Sequence, residues 1–413
     1  MGGTQSTILA ESDVVHAGHA PGAGAQPAKV WIYQPHVEHY RIPIFDGLVQ
    51  RGRADGAYDL TVLGTLQNGK TAYGGEARPY FVHCPLTTDR FLKKITYFCW
   101  PGAEQRIREG RPDVLVMGAN PRNSTCWKLP GVVKAQGGAV VGWSKVHSYG
   151  GVPPWIMGRV KARFYPRFDR MICYGDSSLK ELLGLGYPPN QAVVAQNTID
   201  TRRIFNESER IAARAKELRR EAGLEDKKIL LCVGRFDPDK RHQDLLDVWP
   251  RLRELDPSMV MVLVGGGQLL EEVRAKAAAL DPSRIMLTGR VAEGDDYAWI
   301  AASDLTVYPG AVGLAINQSL ALGRPTIIAD ERGADSEIVE HAITGWRYPR
   351  GNLDELFRAV RSVLADAESA QRVTTAARTL MRDKVTIDNM IGAIDRSIRL
   401  ALEVRDARRR AKA

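Results

Sequence analysis

Short apolar runs recur along the whole chain, and stretches with helical periodicity separate them. The runs are three to five residues long. Short runs without polar alternation are typical of strands buried on both faces. Amphipathic stretches such as Arg210–Ala222 and Leu269–Leu280 lie between them. Strands alternating with helices predict an α/β protein with parallel sheets and right-handed crossovers. The apolar runs are Val30–Tyr33, Leu60–Leu63, Val114–Met117, Val140–Trp143, Met171–Tyr174, Val193–Ala195, Ile229–Val233, Val260–Val264, Ile285–Leu287, Leu305–Tyr308 and Thr326–Ala329.

The runs form two series, and the polar segment Asn197–Glu207 separates them. We therefore predict two doubly wound domains, residues 28–200 and residues 201–385. Residues 1–27 are rich in Gly, Ala, Ser and His, without a basic start or an apolar core, and predict a disordered leader. Residues 386–413 predict a last helix, roughly Ile387–Arg405, followed by a solvated basic tail at Arg408–Lys412.

The charge balance favours an anionic partner. The 413 residues include 57 Lys and Arg against 48 Asp and Glu, a formal net charge of +9. Such an excess is typical of proteins that bind nucleic acid, a membrane surface or a phosphorylated small molecule, although a merely basic soluble protein fits equally well. Nucleic acid is disfavoured, because the sequence has no basic helix or helix-turn-helix pattern. No apolar run approaches the roughly 18 residues that a bilayer span needs.

The five cysteines are scattered and show no C-x-x-C spacing, which argues against a disulfide framework and a structural zinc site. They predict a reducing compartment, so we expect a cytoplasmic protein.

Ligands of open α/β sheets bind beyond the carboxyl ends of the strands, so the loops after the apolar runs are the candidate sites. After Ile229–Val233, Gly234 permits a turn, and Arg235 and Lys240 follow. An Arg fork and a Lys point charge would suit a diphosphate. A solvated basic loop is the alternative. A metal bound by Asp237 and Asp239 is disfavoured by the neighbouring cations.

Two further loops are rich in glycine. Gly265–Gly267 predicts a tight turn, with a phosphate cradle as the less favoured interpretation. Gly310–Gln318 predicts a flexible turn and a helix that starts near Gly313, whose free N–H groups favour anions. The amide of Gln318 would then reach a ligand hydroxyl. The Gly289-Arg290-Val291 loop would border a nucleobase or serve as a plain connection.

Candidates in the first half cluster after the first strand, where His36, Glu38, His39, Tyr40 and Arg41 fall within six residues. A metal site is disfavoured there, because the proline-bounded loop lacks the i, i+4 histidine spacing of a helical site. His147 follows the run Val140–Trp143 and would orient or polarise a substrate, although a lone histidine is more often structural.

As an ordered set, these motifs resemble the retaining nucleotide-sugar-dependent GT-B glycosyltransferases of glycosyltransferase family 4, of the bacterial polysaccharide type. The resemblance rests on Gly234-Arg235…Lys240, Thr288–Val291, Gly310–Gln318 with Ala321–Pro325, and Glu337–Trp346. Tyr40–Phe45 and Gln196–Asp200 add to it in the first half.

The resemblance implies a GT-B fold, with two Rossmann-like domains facing a central cleft. The first would serve the acceptor and the second the nucleotide-sugar donor, with no metal and no cofactor beyond that co-substrate. It implies catalytic roles for Arg235, Lys240 and His147. It implies acceptor-side roles for His36, His39, Tyr40 and Arg41. Donor-binding roles fall to Gly234, Arg290, Val291, Gly310, Ala311, Val312, Gly313, Leu314 and Gln318.

The chain departs from the family at two positions, because the two family glutamates would fall at Gly310 and Gln318. A nucleotide-sugar epimerase and an inactive sugar-nucleotide-binding scaffold are therefore kept as alternatives. We expect a UDP-sugar or a GDP-sugar as donor of a hexose, and a glycan, lipid-linked or small-molecule hydroxyl as acceptor.

Two segments interleave aromatic and basic residues, Phe91–Trp100 and Trp155–Arg170. This pattern suits an anionic membrane surface, and packed helices with a solvated basic face explain it nearly as well. The first interpretation predicts a peripheral protein at the inner face of the cell membrane.

Overall fold

The computed structural model describes residues 26–66, 78–85, 87–91, 95–146, 153–292, 294–330 and 333–413. The predicted leader lies outside the described residues except for positions 26 and 27. Within the described residues, the fold has two Rossmann-like halves, each built on a parallel sheet whose strands are joined by helices.

The N-terminal sheet has the strand order β3-β2-β1-β6-β7-β8-β9, and its described pairings are all parallel. Strands β4 and β5 form a separate antiparallel hairpin. The strands are β1 (Ala28–His36), β2 (Tyr58–Thr65), β3 (Phe81–His83), β4 (Thr87–Phe91), β5 (Ile95–Cys99), β6 (Val114–Gly118), β7 (Ala139–Ser144), β8 (Arg170–Cys173) and β9 (Ala192–Val194). The helices are α1 (Ile42–Ala54), α2 (Ala103–Gly110), α3 (Ser124–Ala135), α4 (Pro154–Phe164) and α5 (Asp176–Gly184).

The C-terminal sheet has the order β12-β11-β10-β13-β14-β15 and is also parallel. Its strands are β10 (Lys228–Val233), β11 (Met259–Val264), β12 (Ile285–Gly289), β13 (Leu305–Tyr308), β14 (Thr326–Ala329) and β15 (Trp346–Tyr348). The helices are α6 (Arg202–Asn206), α7 (Ser208–Glu221), α8 (His242–Leu252), α9 (Leu270–Leu280), α10 (Asp295–Ala302), α11 (Ala315–Ala321), α12 (Ala334–Glu337), α13 (Leu353–Ala365), α14 (Ala367–Asp383) and α15 (Ile387–Arg410).

The predicted fold class is confirmed, because every apolar run named above overlaps a strand of one of the two parallel sheets. All six side chains of β11 are buried, as expected for a strand covered on both faces. Strand β15 was not predicted, because it is only three residues long and has Arg347 at its centre.

The last helix returns to the N-terminal half. Its residues Ile391, Ile394 and Ile398 are buried in one core with Phe45 and Leu48 of α1. A buried hydrogen bond of 2.8 Å from the Tyr58 hydroxyl to Asp395 Oδ1 joins the helix to β2. The C-terminal segment of the chain therefore connects the two halves.

The predicted basic tail lies at the surface, since Arg409, Arg410 and Lys412 are exposed, but several of its cations are paired with groups of the N-terminal half. Arg408 lies 2.7 Å from the carboxylate of Asp169, and Arg409 lies 2.7 Å from that of Asp113. Lys412 donates to the carbonyl of Ala135 at 2.8 Å. The acidic partners are distant in the sequence, so local composition gave no sign of this pairing.

The aromatic and basic segment Trp155–Arg170 is divided between core and surface. Phe164, Tyr165 and Phe168 are buried in the N-terminal core, whereas Trp155 is 65% exposed. Lys161 is buried and pairs with Glu181. Within the described residues, no helix is both long and apolar enough to cross a bilayer.

Candidate functional site

A cleft of about 1520 Å³ separates the two halves at the carboxyl ends of their strands. Side chains from α1 and the turn before it form what we call the N-terminal wall, namely His39, Pro43, Asp46, Gln50 and Arg51. Loops after β10, β11 and β12, together with the first turn of α10, form the C-terminal wall, namely Gly234, Arg235, Gly265–Gly267, Arg290, Val291 and Asp296.

The C-terminal wall is built by close contact between backbones. The N–H of Gly234 donates to Val264 at 2.9 Å, and that of Gly265 donates to Gly289 at 2.9 Å. A Cβ at Gly265 would stand 1.9 Å from the Gly234 carbonyl oxygen, and the φ of Gly265 is +139°. A Cβ at Gly267 would stand 2.6 Å from the Phe236 nitrogen. Glycine is therefore needed for the tight turn, since any side chain would push the loops apart.

Arg235 lies in this wall with its side chain 68% exposed, and its guanidinium pairs with the carboxylate of Asp237. Asp237 thus holds a cation at the mouth of the cleft. The described residues include no group of three or more His, Cys, Asp or Glu side chains arranged to hold a metal ion.

Lys240 lies in a second cluster beside the cleft. Its Nζ donates to the Ala311 carbonyl at 2.6 Å, and the Ala311 N–H donates to the Asp239 carbonyl at 2.8 Å. A Cβ at Gly310 would stand 2.1 Å from that same Asp239 oxygen. The loops after β10 and β13 therefore touch through their backbones, and they bring Lys240 next to Gly310, Ala311 and Gly313.

The contact explains one of the two departures from the family pattern. Position 310 has no room for a glutamate side chain in this backbone arrangement. The helix in this segment begins at Ala315, two residues beyond Gly313, and the half-buried Val312 and Leu314 pack against an apolar cluster. These two side chains support the loop.

Gln318 joins the two clusters. Its Nε2 donates to Asp296 Oδ2 at 2.9 Å, and Asp296 lines the cleft. Sequence reasoning missed Asp296. The available signal was a carboxylate in the first turn of the helix that follows a strand end and its loop, a position from which an acid reaches a sheet edge.

His242 begins α8 beneath Lys240 and Phe236. Its ring stacks on Phe236 with a centroid distance of 4.3 Å, and it is 3% exposed. Neither ring nitrogen has a hydrogen-bond partner among the described residues. Burial, reinforced by the charge of Lys240, lowers the pKa of His242 to about 4, so the ring is neutral near pH 7.

Arg41 lies beneath the N-terminal wall and does not line it. It is 7% exposed, its Cζ is 4.7 Å from the Trp143 ring, and its Nη2 donates to the Tyr174 hydroxyl at 2.8 Å. Burial alone would lower the pKa of this guanidinium, but Tyr174 and Tyr40 raise it above its usual value. Arg41 is therefore a charged group in an aromatic cage.

The other acceptor-side candidates divide between the wall and its surroundings. His39 is exposed and lines the cleft, and Tyr40 is half-buried beside Arg41. The backbone of His36 ends β1, and His147 lies outside the described residues. Roles at the acceptor side stay predictions.

One carboxylate bridges the two halves directly. Glu337, on α12, accepts from the backbone N–H of Ser177 at 3.1 Å and also from its hydroxyl. Ser177 lies in the first turn of α5, so the carboxylate sits at the positive end of that helix. Burial and the charge of Glu337 raise the pKa of neighbouring Asp176.

Two Rossmann-like halves facing one cleft define the GT-B fold, and solved structures confirm it. Anabaena Alr3699/HepE in complex with UDP matches with a TM-score of 0.67 at 15% identity, over 90% of this chain and 99% of that one. A glycosyltransferase from Rickettsia africae ESF-5 also gives a TM-score of 0.67, at 13% identity over 92% of this chain and 99% of its own.

The family-model match lies in the C-terminal half. Residues 214–380 match the family model for glycosyl transferases group 1. A curated relative, the GDP-mannose-dependent alpha-(1-6)-phosphatidylinositol monomannoside mannosyltransferase of Mycobacterium tuberculosis, is 30% identical over 178 residues. That match covers 40% of this chain and 46% of the relative, so the chain spans about half the length of the curated relatives it matches.

Proposed function

We propose that the protein is a retaining glycosyltransferase that moves a hexose from a nucleotide diphosphate sugar to an acceptor hydroxyl. The observation that carries the proposal is the pair of clusters at the C-terminal sheet edge, within the segment that matches glycosyl transferases group 1. There Arg235 opens into the cleft and Lys240 lies against the 310–313 loop.

In the proposed reaction, the bond between the sugar C1 and the diphosphate oxygen breaks, and the acceptor oxygen forms a new bond to C1 on the same face. The acceptor proton passes to the departing β-phosphate. Arg235 and Lys240 stabilise the charge that builds on that phosphate, where preorganised cations contribute most to the rate. His147 is proposed to contact the donor sugar.

Contacts with neighbouring groups hold the side chains of Arg235 and Lys240 in place before a ligand binds. Asp237 holds the guanidinium of Arg235, and the Ala311 carbonyl holds the ammonium of Lys240. A bound diphosphate would exchange these contacts for stronger charge-assisted ones. With two cations at the leaving group, the proposed chemistry uses no metal.

The donor is proposed to be a UDP-sugar, with a GDP-sugar as second choice. The Anabaena structure contains UDP, and the mycobacterial relative is named as GDP-mannose-dependent. The loop Arg290–Val291, which lines the cleft, would border the base.

A screen of UDP-, GDP-, ADP- and dTDP-sugars by thermal shift tests the donor, because a specific ligand raises the melting temperature by mass action. Proton NMR of the transferred sugar then tests retention. Product formed without an acceptor would favour an epimerase. Binding without transfer or hydrolysis would favour an inactive scaffold, and failure of every donor to bind would contradict the proposal.

The acceptor is proposed to be a glycan or a lipid-linked hydroxyl, with a small molecule as the further candidate. The lipid-linked form is supported by exposed Trp155 on α4, with the Arg159 guanidinium 5.5 Å from its ring and exposed Arg163 one turn further along. An aromatic ring among cations suits an anionic bilayer surface, which would place the protein peripherally at the inner face of the membrane.

Flotation with liposomes tests the surface. We expect binding to vesicles that contain anionic lipid, weakened by salt and by Trp155→Ala. Leu183→Ala, at another exposed apolar residue, should leave flotation unchanged. Binding that needs no anionic lipid, or no binding at all, would contradict the membrane proposal and leave the transferase proposal standing.

A further inference from the structure

We propose that Asp296 binds the 2′,3′-diol of the donor ribose and that Gln318 positions its carboxylate. The inference rests on the proposed function, because it needs a ribonucleoside diphosphate in the cleft. It assigns the recognition of ribose to a residue outside the loops that the sequence motifs single out.

Asp296 lies in the same wall of the cleft as the parts proposed to bind the base and the diphosphate. It lies in the first turn of α10, beyond the carboxyl end of β12, and lines the cleft together with Arg290, Val291 and Gly266. Arg235 lines the same cleft from the loop after β10. The carboxylate thus shares one wall with the loop proposed to border the base and with a cation proposed to bind the diphosphate. Ribose is the part of a nucleotide that connects those two groups.

The carboxylate of Asp296 has one oxygen held by Gln318 and one available to a ligand. Gln318 Nε2 donates to Oδ2 at 2.9 Å, and Oδ1 has no hydrogen-bond partner among the described residues. An ionised carboxylate only accepts, and its two oxygens offer about four lone-pair sites. One site holds the side chain in place, and the remaining sites suit two neighbouring hydroxyl donors. A phosphate does not suit them, because like charges repel.

The preceding residue gives an internal contrast. Asp295 lies in the same helical turn, but its carboxylate pairs with Arg214 of α7 at 3.0 Å and is absent from the lining of the cleft. Two adjacent acids therefore have different surroundings. Only Asp296 combines a cleft position with an oxygen that is available to a ligand.

The amide of Gln318 also acquires a defined role. A glutamate at position 318 would set a second negative charge against Asp296, whereas the neutral amide donates to it. Gln318 is thus a positioning residue, and Asp296 is the group that would touch the nucleotide.

Calorimetry with four probes tests the inference, namely UDP, GDP and their 2′,3′-dideoxy counterparts. The wild-type chain should bind the better ribonucleotide roughly 10- to 100-fold more tightly than its dideoxy form, since hydrogen bonds to a charged group are involved. Asp296→Asn should lose most of that preference while binding the dideoxy form as the wild type does. Asp295→Asn is the matched control and should keep the preference.

Dideoxy binding by Asp296→Asn also reports that the variant is folded, and melting of the free variant provides a second check. Gln318→Leu should reduce the preference by an intermediate factor. A wild-type chain without ribose preference, or an Asp296→Asn variant that keeps it, would overturn the inference and leave the proposed function intact. Failure of the wild type to bind any of the four probes would overturn both.

Discussion

The two walls of the cleft are built in different ways. In the C-terminal wall the shape comes from backbone, with Gly265 and Gly267 at distances that exclude a Cβ. In the N-terminal wall it comes from side chains on α1. Asp46 there accepts from the Tyr80 hydroxyl at 2.6 Å and from Arg78 at 3.3 Å.

The two kinds of wall differ in how readily substitutions can change their shape. Backbone contacts admit glycine alone, so a wall made from them holds one shape and suits a ligand part common to many donors. A wall made from side chains changes with each substitution, which would suit the proposed acceptor, the part that differs between enzymes. The confinement of the family match to residues 214–380 agrees with this division.

The largest effect is expected for Lys240, which lies beside the C-terminal wall. Lys240→Ala should lower turnover about 100- to 1000-fold, because it removes a cation proposed to stabilise the charge that develops on the departing phosphate. Initial rates with the donor found in the screen provide the measurement. Lys276→Ala, an exposed cation of the same domain that pairs with Asp247, is the control and should keep its activity. Near-normal turnover of Lys240→Ala, with an unchanged melting temperature, would sink the diphosphate assignment.

The buried ring beneath the C-terminal wall predicts a dependence of stability on pH. The pKa of His242 is about 4 in the folded chain, below its ordinary value of 6.5, so the unfolded chain binds more protons between these values. The stabilisation is complete above pH 6.5, and it is lost as the pH falls toward 4. The loss is up to about 3 kcal/mol in the free energy of unfolding.

Urea unfolding between pH 7 and pH 4 measures this loss. His242→Gln stays neutral throughout, so its free energy of unfolding should fall less steeply than that of the wild type. The charge of Lys240 adds to the shift, whereas Asp237 and Asp239 oppose it. Lys240→Ala should therefore reduce the difference in slope. Parallel curves for the wild type and His242→Gln would contradict the prediction.

A matched pair of glycines compares a backbone contact beside the C-terminal wall with a side-chain contact on α1. Gly310→Ala places a Cβ 2.1 Å from the Asp239 carbonyl oxygen, whereas Gly47→Ala on α1 places one 2.5 Å from the tip of the Ile391 side chain. Backbone cannot move aside without shifting a loop, but the end of the Ile391 side chain can change rotamer. Gly310→Ala should lower the free energy of unfolding by about 1–3 kcal/mol.

Gly47→Ala should cost less, because alanine also gains up to about 1 kcal/mol of helix propensity over glycine. Chemical denaturation measures both variants. Equal losses would show that the backbone contact between the loops after β10 and β13 yields as readily as a side chain, which would contradict the contrast drawn between backbone and side-chain contacts.

The fold and the backbone-built C-terminal wall could be predicted from the sequence, because both depend on local patterns. Apolar runs mark strands, and glycines mark the places where loops touch. The contacts that could not be predicted join residues that lie far apart in the chain. Asp296 meets Gln318 across 22 residues, and Arg41 meets Tyr174 across 133. Arg41 was predicted to lie on the acceptor side of the cleft, and its enclosure depends on Trp143 and Tyr174, which lie far from it in the sequence.

The smallest expected effect concerns Glu337, whose carboxylate on α12 contacts α5 of the N-terminal half. Glu337→Gln replaces charge-assisted hydrogen bonds to Ser177 by neutral ones, and the free energy of unfolding should fall by about 0.5–1.5 kcal/mol. A double-mutant cycle with Ser177→Ala isolates the hydroxyl part of the contact. The pKa of Asp176, which Glu337 helps to raise, should shift down in Glu337→Gln and can be followed by NMR titration of its carboxyl carbon. An unchanged pKa together with a coupling energy near zero would mean that Glu337 adds nothing to the connection between the two halves, which would then depend on other contacts such as those of α15 with the N-terminal core.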